Sequence, residues 1–358
     1  MLKYISRKIF YGIIVLLGVI TTIFFLFNVL PGDPASIMLG QRANKETVEA
    51  VHRDLGTDKP VLEQFVMYVN DLSPISIHNY ADTKSSWYLN PDKYTWIPMF
   101  KIGSGRTMVM KIPYLRRSYI TKRRVSDIII ETLPETGVLA FTSIVIATTI
   151  GIFLGILAAV RRNTFYDKLS LVLSVLGMAA PSFFVGLIIA WLFGYVLTEY
   201  TGLSPTGSLY DIDVWNGEVL KLKNLILPSI TLGIRPLAIV VQLMRSSLLD
   251  VLSQDYIRTA KAKGLSFYVI IIKHALKNAL NPVVTAISGW FAGLMAGAVF
   301  VEFIFSWKGI GYEVFEALTK NDLPVVMGAT LVFATIFVMI NILVDIAYGV
   351  LDPRVRIK

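Results

Sequence analysis

Side chains that could carry out a reaction are scarce in this chain. Its 358 residues include no cysteine, and the three histidines, His52, His78 and His274, are too scattered to read as a metal or catalytic set from spacing. Gly-Lys occurs nowhere, which excludes a phosphate-cradling P-loop, and neither His-Glu-x-x-His nor Gly-x-Ser-x-Gly is present. A membrane enzyme is therefore a poor reading. What remains is charge in two unusual settings. One is Arg235, well inside an apolar run from Leu225 to Leu249. The other is the stretch from Gln254 to Pro282, since five Lys/Arg, two Asp and one His fall between Asp250 and Asn281.

The second stretch has a readable local structure. Tyr256 to Lys263 suits a short helix, with Thr259, Ala260 and Ala262 small enough to let another backbone approach closely. Gly264 is a natural stop because glycine tolerates positive φ, and Ser266 can cap a second helix from about Phe267 to Asn278. The expectation is a bent helical hairpin facing outward from the apolar segments on either side.

Those apolar segments dominate the composition. With 54% hydrophobic and 16% charged residues and a mean hydropathy of +0.62, the chain is too apolar for a soluble globule and reads as a polytopic all-α membrane protein. Ile9 to Leu30 is uncharged over 22 residues, roughly 33 Å as a helix and enough to cross a bilayer. It is too long for a signal-peptide core and no small-x-small site follows, so it reads as a retained span. Five more spans follow at Gly137–Val160, Leu169–Thr198 with a kink expected at Pro181, Leu225–Leu249, Ala279–Val301 and Leu323–Val344. Between spans one and two, Asn44–Leu55 and Pro60–Leu72 read as amphipathic helices, the latter with Leu62, Phe65, Val66 and Val69 as its apolar face. From about Ser73 to Pro113 the periodicity is lost. Eight Lys/Arg and no acid lie between Phe100 and Ser126, which suits either a solvated or headgroup-facing surface or a contact with an external partner.

Charge bias orients the spans. Lys3, Arg7 and Lys8, then Arg161, Arg162 and Lys168, the 254–282 stretch, and Arg354, Arg356 and Lys358 fall on one side. The segments Glu199–Lys223 and Glu302–Asp322 each carry four acids against two bases on the other. Short cytoplasmic loops are enriched in Lys/Arg, so both termini are expected in the cytoplasm. The same bias accounts for most of the net charge of +9 without invoking nucleic acid.

Arg235 sits ten residues after Leu225, roughly 15 Å along a helix and near the bilayer midplane if the helix starts there. An unpaired Arg at that depth is costly, so it is expected to face an aqueous path or a partner acid, and a terminal carboxylate is a natural anion for it. The competing reading starts the helix only at Pro228 and lets Arg235 snorkel to the headgroups. Arg245 and Asp345, near the cytoplasmic ends of spans four and six, read as an interfacial charge and a satisfied polar contact.

Several motifs share one resemblance. Arg-Thr-Ala-Lys-Ala-Lys-Gly-Leu ending at Leu265, His-Ala-Leu-Lys-Asn-Ala-Leu from His274, Pro31-Gly32-Asp33-Pro34 and Phe305-Ser306-Trp307-Lys308-Gly309-Ile310-Gly311 resemble the dipeptide/oligopeptide permease family of ABC importers. Asp322-Leu323-Pro324-Val325-Val326, Asn341 to Asp345 and Leu351 to Arg354 are similar to the same family, with Lys308 standing where a Pro is commoner. The resemblance covers the first 70 residues and Arg116 to the end, leaving 73–113 as an insertion. It implies the type I ABC importer permease fold: an N-terminal span (1–30), an extended external region (31–130), a five-helix core (131–349) containing the coupling loop (250–281), and a cytoplasmic tail (350–358). It implies that Asp255, Tyr256, Arg258, Thr259, Ala260, Lys261, Ala262, Lys263 and Gly264 form the loop that docks on an ATPase subunit. It further implies a second related permease, two ATPase subunits that bind the ATP and Mg, an external binding protein and a bilayer as partners, with no cofactor in this chain. Peptides are the cargo implied, and nickel chelates or glycosides are the alternatives within the same architecture. A stand-alone secondary transporter or channel is the reading from another class; it lacks support in an internal repeat or in several mid-span ionisable groups.

Overall fold

The computed structural model describes residues 2–29, 58–82, 85, 87–103, 105–213 and 217–351, with Glu49 and His52 as isolated positions. The Pro31–Pro34 cluster, the Asn44–Leu55 helix apart from those two positions, and the tail from Asp352 lie outside the described residues. Internal contacts divide the chain into two units, residues 1–131 with 313–338 and residues 132–312 with 339–358.

In the first unit, α1 (Leu2–Val29) carries Lys3, Arg7 and Lys8 in its first turns and then the uncharged run from Ile9. Its Thr21 and Thr22 hydroxyls donate to the carbonyls of Leu17 and Gly18, which satisfies them without a partner helix. Helix α2 (Val61–Leu72) starts after Pro60 and packs Phe65, Tyr68 and Leu72 against Ile23 and Phe24 of α1 and Met327 and Leu331 of the last helix. The apolar face differs from the one expected: Leu62 and Val66 point outward, because spacing alone did not weigh Tyr68 as a core residue. The stretch read as aperiodic folds as an antiparallel sheet of β1 (Ile75–Asn79), β2 (Trp96–Ile102) and β3 (Arg106–Lys111), with β3 in the middle. β1 and β3 alternate in burial, whereas β2, an edge strand with a register shift at Pro98/Phe100, is exposed along its whole length.

Most of the basic cluster is used within this unit. Lys111 is buried, donates from Nζ to the Asp71 carbonyl at 2.6 Å and stacks on Tyr94, and burial pulls its ammonium down to about 8. Arg116 lies over the Tyr68 ring, Arg124 donates to the Asp92 carbonyl and Arg123 pairs with Glu131. Asp322 accepts from Tyr119 N at 2.8 Å and from the Ser118 hydroxyl, pinning this segment to the start of the last helix.

The remaining apolar helices lie mainly in the second unit, residues 313–338 of the last two belonging to the first. They are α3 (Val125–Val160), whose first residues belong to the first unit, α4 (Phe165–Ala179), α5 (Ser182–Ile189) running into a π-helical stretch Ala190–Val196, and α6 (Ile226–Leu252). A hairpin of β4 (Tyr210–Asp213) and β5 (Gly217–Leu220) precedes α6. Helix α7 (Asp255–Ala262) leads to α8 (Leu276–Gly297), then α9 (Val299–Phe305), α10 (Ile310–Thr319) and α11 (Leu323–Leu351). Among the described residues, five helices are long and apolar enough to cross a membrane unbroken; the sixth candidate is the α4/α5 pair, bent by 110°. The kink expected at Pro181 is thus a sharp turn. Proline cannot continue the α4 hydrogen-bond ladder, and Ala180 and Pro181 both adopt extended ψ. Helices α3 and α6 approach closely because Gly155 faces α6: a Cβ there would lie 2.6 Å from Met244 Cβ and 2.9 Å from the Val241 carbonyl.

Candidate functional site

Helix α7 is built from both ends by its sequence. Asp255 occupies the first turn, where a carboxylate suits the helix dipole, and pairs loosely with Arg258 at 3.3 Å. At the other end Gly264 takes φ +74°, Leu265 N donates to the Ala260 carbonyl and Gly264 N to the Lys261 carbonyl. That 6→1 and 5→2 pair is a Schellman ending, for which glycine is the least strained residue. The stop expected at Gly264 is where the helix ends.

One face of α7 is locked to the molecule. Ile257 is 0% exposed and Ala260 is buried beside it, in a core with Met244 and Leu248 of α6, Ile270, Ile271, Ala275, and Ala279 and Val283 of α8. Asn278 Nδ2 donates to the Tyr256 hydroxyl at 2.9 Å, a further tie to α8. The opposite face is open: Tyr256, Arg258, Thr259, Lys261, Ala262 and Lys263 are all exposed, and Phe267 and Tyr268, the latter 74% exposed, continue the surface past Gly264. Two expectations change. Ala260, read as a small residue admitting a partner's backbone, is small because it packs against the chain's own core. The second arm of the hairpin does not end near Asn278; from Phe267 it runs as one helical segment through a π-helical stretch at Ile270–Ala275 and past Pro282 to Gly297. The Pro282 ring is accommodated without a break, and Ser266 sits at the helix start without a side-chain cap.

Arg245 is not a lone interfacial charge. Its Nε and Nη2 donate to Asp167 Oδ1 and Oδ2 at 2.5 and 2.8 Å, a two-pronged pair whose side chains are 20% and 3% exposed. Asp167 also accepts from Asn163 N at 2.8 Å, which shapes the turn between α3 and α4. This pair, joining the start of α4 to the end of α6, was missed because its members stand 78 residues apart and each looks ordinary alone. Asp345 is half-buried in α11.

Arg235 lies in the span Leu222–Leu252, thirteen residues from one end and seventeen from the other. The α-helix starts at Ile226, continuing a 3-10 turn from Leu222, so the premise of the shallow reading, a start at Pro228, does not hold. Its guanidinium is exposed, without an ion-pair or hydrogen-bond partner among the described residues, and lines a cavity of about 80 Å³ with Trp290, Thr231, Ser182, Gly177 and Gly293. No group of three or more His, Cys, Asp or Glu among the described residues could hold a metal ion.

A model described as "Binding-protein-dependent transport system inner membrane component" matches residues 151–357, and its N-terminal companion matches 1–83. The chain belongs to this family. It is a permease component of an ABC importer, a multi-pass inner-membrane protein. The family's core contains every element of the two sites just described, and the β2–β3 hairpin falls between the two matched regions. Over 99% of this chain and 100% of the relative, it is 34% identical to the dipeptide transport system permease protein of Alkalihalophilus pseudofirmus. It is likewise 34% identical to the di/tripeptide transport system permease protein of Pseudomonas aeruginosa, over 99% of both chains. The glutathione transport system permease protein of Escherichia coli is 33% identical over 100% of both.

Proposed function

We propose that this permease forms half of the translocation path for di- or oligopeptides, and that ATPase subunits work it through the exposed face of α7. The observation that carries the coupling role is the asymmetry of α7. A surface helix bound to its own protein through Ile257, and offering Tyr256, Arg258 and Lys261 outward with Tyr268 beyond its end, can transmit a push or pull from a partner into α6 and α8. Tyrosine and arginine also suit the centre of a protein interface. The peptide cargo is supported by the relatives, whose names specify dipeptides, di- and tripeptides or glutathione, and which this chain matches from end to end.

In this reading a second related permease completes the path, two ATPase subunits bind and hydrolyse ATP with Mg, and an external binding protein delivers the solute. The chain contributes no cofactor and no ATP site of its own. Both termini lie in the cytoplasm, on the side of α7. ATP-driven closure of the ATPases draws the two coupling helices together and turns an inward-open path outward. Reconstituting the complex with Arg258→Glu and Tyr268→Ala in this chain tests the assignment. ATP hydrolysis stimulated by the peptide-loaded binding protein should fall at least tenfold while the spans insert normally. Full stimulation in that variant would remove α7 from the coupling role. Uptake of a glycoside or a nickel chelate in place of a dipeptide would overturn the cargo.

A further inference from the structure

We propose that the cavity beside the Pro181 break is an anion site within the membrane, where Arg235 holds a carboxylate of the passing solute. It rests on the peptide reading, which supplies a short solute carrying at least one carboxylate. Depth is the first argument. The middle of a 31-residue span is where an unpaired guanidinium is least tolerable facing lipid, so water or an anion must meet it. The second is the contrast within α6 itself. Arg245 is matched in both prongs by Asp167, whereas Arg235 is matched by no acid among the described residues of its own chain.

The third argument is the shape of the space. The bend at Ala180–Pro181 opens a gap beside α6, and Gly293, where a Cβ would meet nothing within 4 Å, leaves it unfilled. At about 80 Å³ it admits a carboxylate with a few waters and no whole peptide. Its lining matches that content. The fork of the guanidinium takes both oxygens of a carboxylate, the Trp290 ring offers an apolar wall, and Ser182 brings a hydroxyl, that of Thr231 being spent on the Leu227 carbonyl. Helix α5 begins at Ser182 without a side-chain cap, so its dipole adds to the positive potential that Arg235 sets. A weak site of this kind would orient a peptide carboxyl-end first without trapping it, since a single charged contact bordered by water is readily exchanged.

The chain has no cysteine, so one introduced at Gly293 reports on this cavity alone, and a Cβ there meets nothing within 4 Å. The complex, with partner cysteines replaced, is assembled in bilayer discs without the binding protein. It is treated with a sulfonate-bearing or a trimethylammonium-bearing methanethiosulfonate. The expected result is faster reaction with the anionic reagent, a preference that drops about tenfold in Arg235→Gln and is largely kept in Arg235→Lys, as one full charge at cavity distance requires. A millimolar dipeptide should slow the anionic reagent, and the same dipeptide amidated at its C-terminus should not. An unchanged preference in Arg235→Gln overturns the proposal, as it would if an acid of the second permease already neutralised Arg235. A cysteine that neither reagent reaches, or equal protection by the amide, overturns it as well. Dipeptide uptake by the unsubstituted complex is measured separately, and its absence would strike the cargo reading while the reagent preference still reports the anion site.

Discussion

Glu302 is 0% exposed and is held by Thr136, whose hydroxyl donates to Oε1 at 2.6 Å, and by the Tyr312 amide, which donates to Oε2 at 3.0 Å. Gly309 and Gly311 press against the carboxyl so closely that a Cβ on either would overlap it. Burial raises its pKa to about 7, outweighing the hydrogen bonds that favour the ionised form. Between the ordinary glutamate value and about 7, the folded protein keeps a proton that the unfolded chain has released. The contribution of Glu302 to stability is therefore greatest at low pH, declines as pH rises through that window and levels off above it. Thermal melts of the wild type and Glu302→Gln should diverge between about pH 4.5 and 7 and run parallel beyond; parallel curves throughout would mean that Glu302 is ionised in the fold. At Asp167 the expectation is a loss: Asp167→Asn strands Arg245 without its anion and should cost on the order of 3 kcal/mol, most of it recovered when Arg245→Met is added. Purified protein melts for the two single variants and the double variant decide this. Neither residue could be singled out from sequence. The charge bias assigned Glu302 to an outer segment and Arg245 to an interface, and their side-chain partners Thr136 and Asp167 stand 166 and 78 residues away.

Among the elements, α7 shows what its boundary residues dictate. Gly264 could be read as a stop because positive φ leaves few alternatives, and it sits at φ +74°. Which face of α7 turns inward could not be read. Eight residues with alanines on both sides give no clear apolar stripe, and the core that buries Ile257 comes from α6, α8 and the π-helical segment. Ile257→Ala should destabilise the core by about 2–5 kcal/mol, read as a lower melting temperature of the permease alone. Ala260→Glu would force a charge into the same core, so a loss of transport in that variant would reflect packing; Thr259→Glu, on the open face, is the informative change for docking. The α3/α6 contact is stricter still. Gly155→Leu should prevent the two helices from closing and abolish recovery of assembled complex from membranes, while Gly18→Leu, with open space around its Cβ, leaves the yield unchanged. The apolar helices were legible because uncharged runs of 20 or more residues leave a backbone few other states in lipid. The sheet of β1, β2 and β3 was not. Its edge strand is exposed on both faces and carries no alternation, and the buried positions of β1 include Ser76 and His78.

At the scale of the whole molecule, the division of labour follows the chain's charge. Lys101 and Arg106 flank the Gly103–Gly105 turn and are exposed, so trypsin has two sites at the tip of the β2–β3 hairpin. Added to sealed right-side-out vesicles it should cut there, and cutting only after the vesicles are opened would invert the orientation. The bent pair of α4 and α5 has a consequence for how the protein is made. Helix α4 has 15 residues, and α5 has 8 before a π-helical stretch of 7, each half well short of the roughly 20 residues that hold a helix across a bilayer. Neither half gives the insertion machinery a segment it can release into lipid by itself. Their neighbour α6, against which both pack, ends at Leu252, several seconds of synthesis after Val196 at about 5–20 residues per second. Nascent chains cut short before α6 should remain extractable or crosslinked to the insertion channel over α4 and α5, and chains extended past Leu252 should not. The third span thus enters the membrane on the credentials of the fourth.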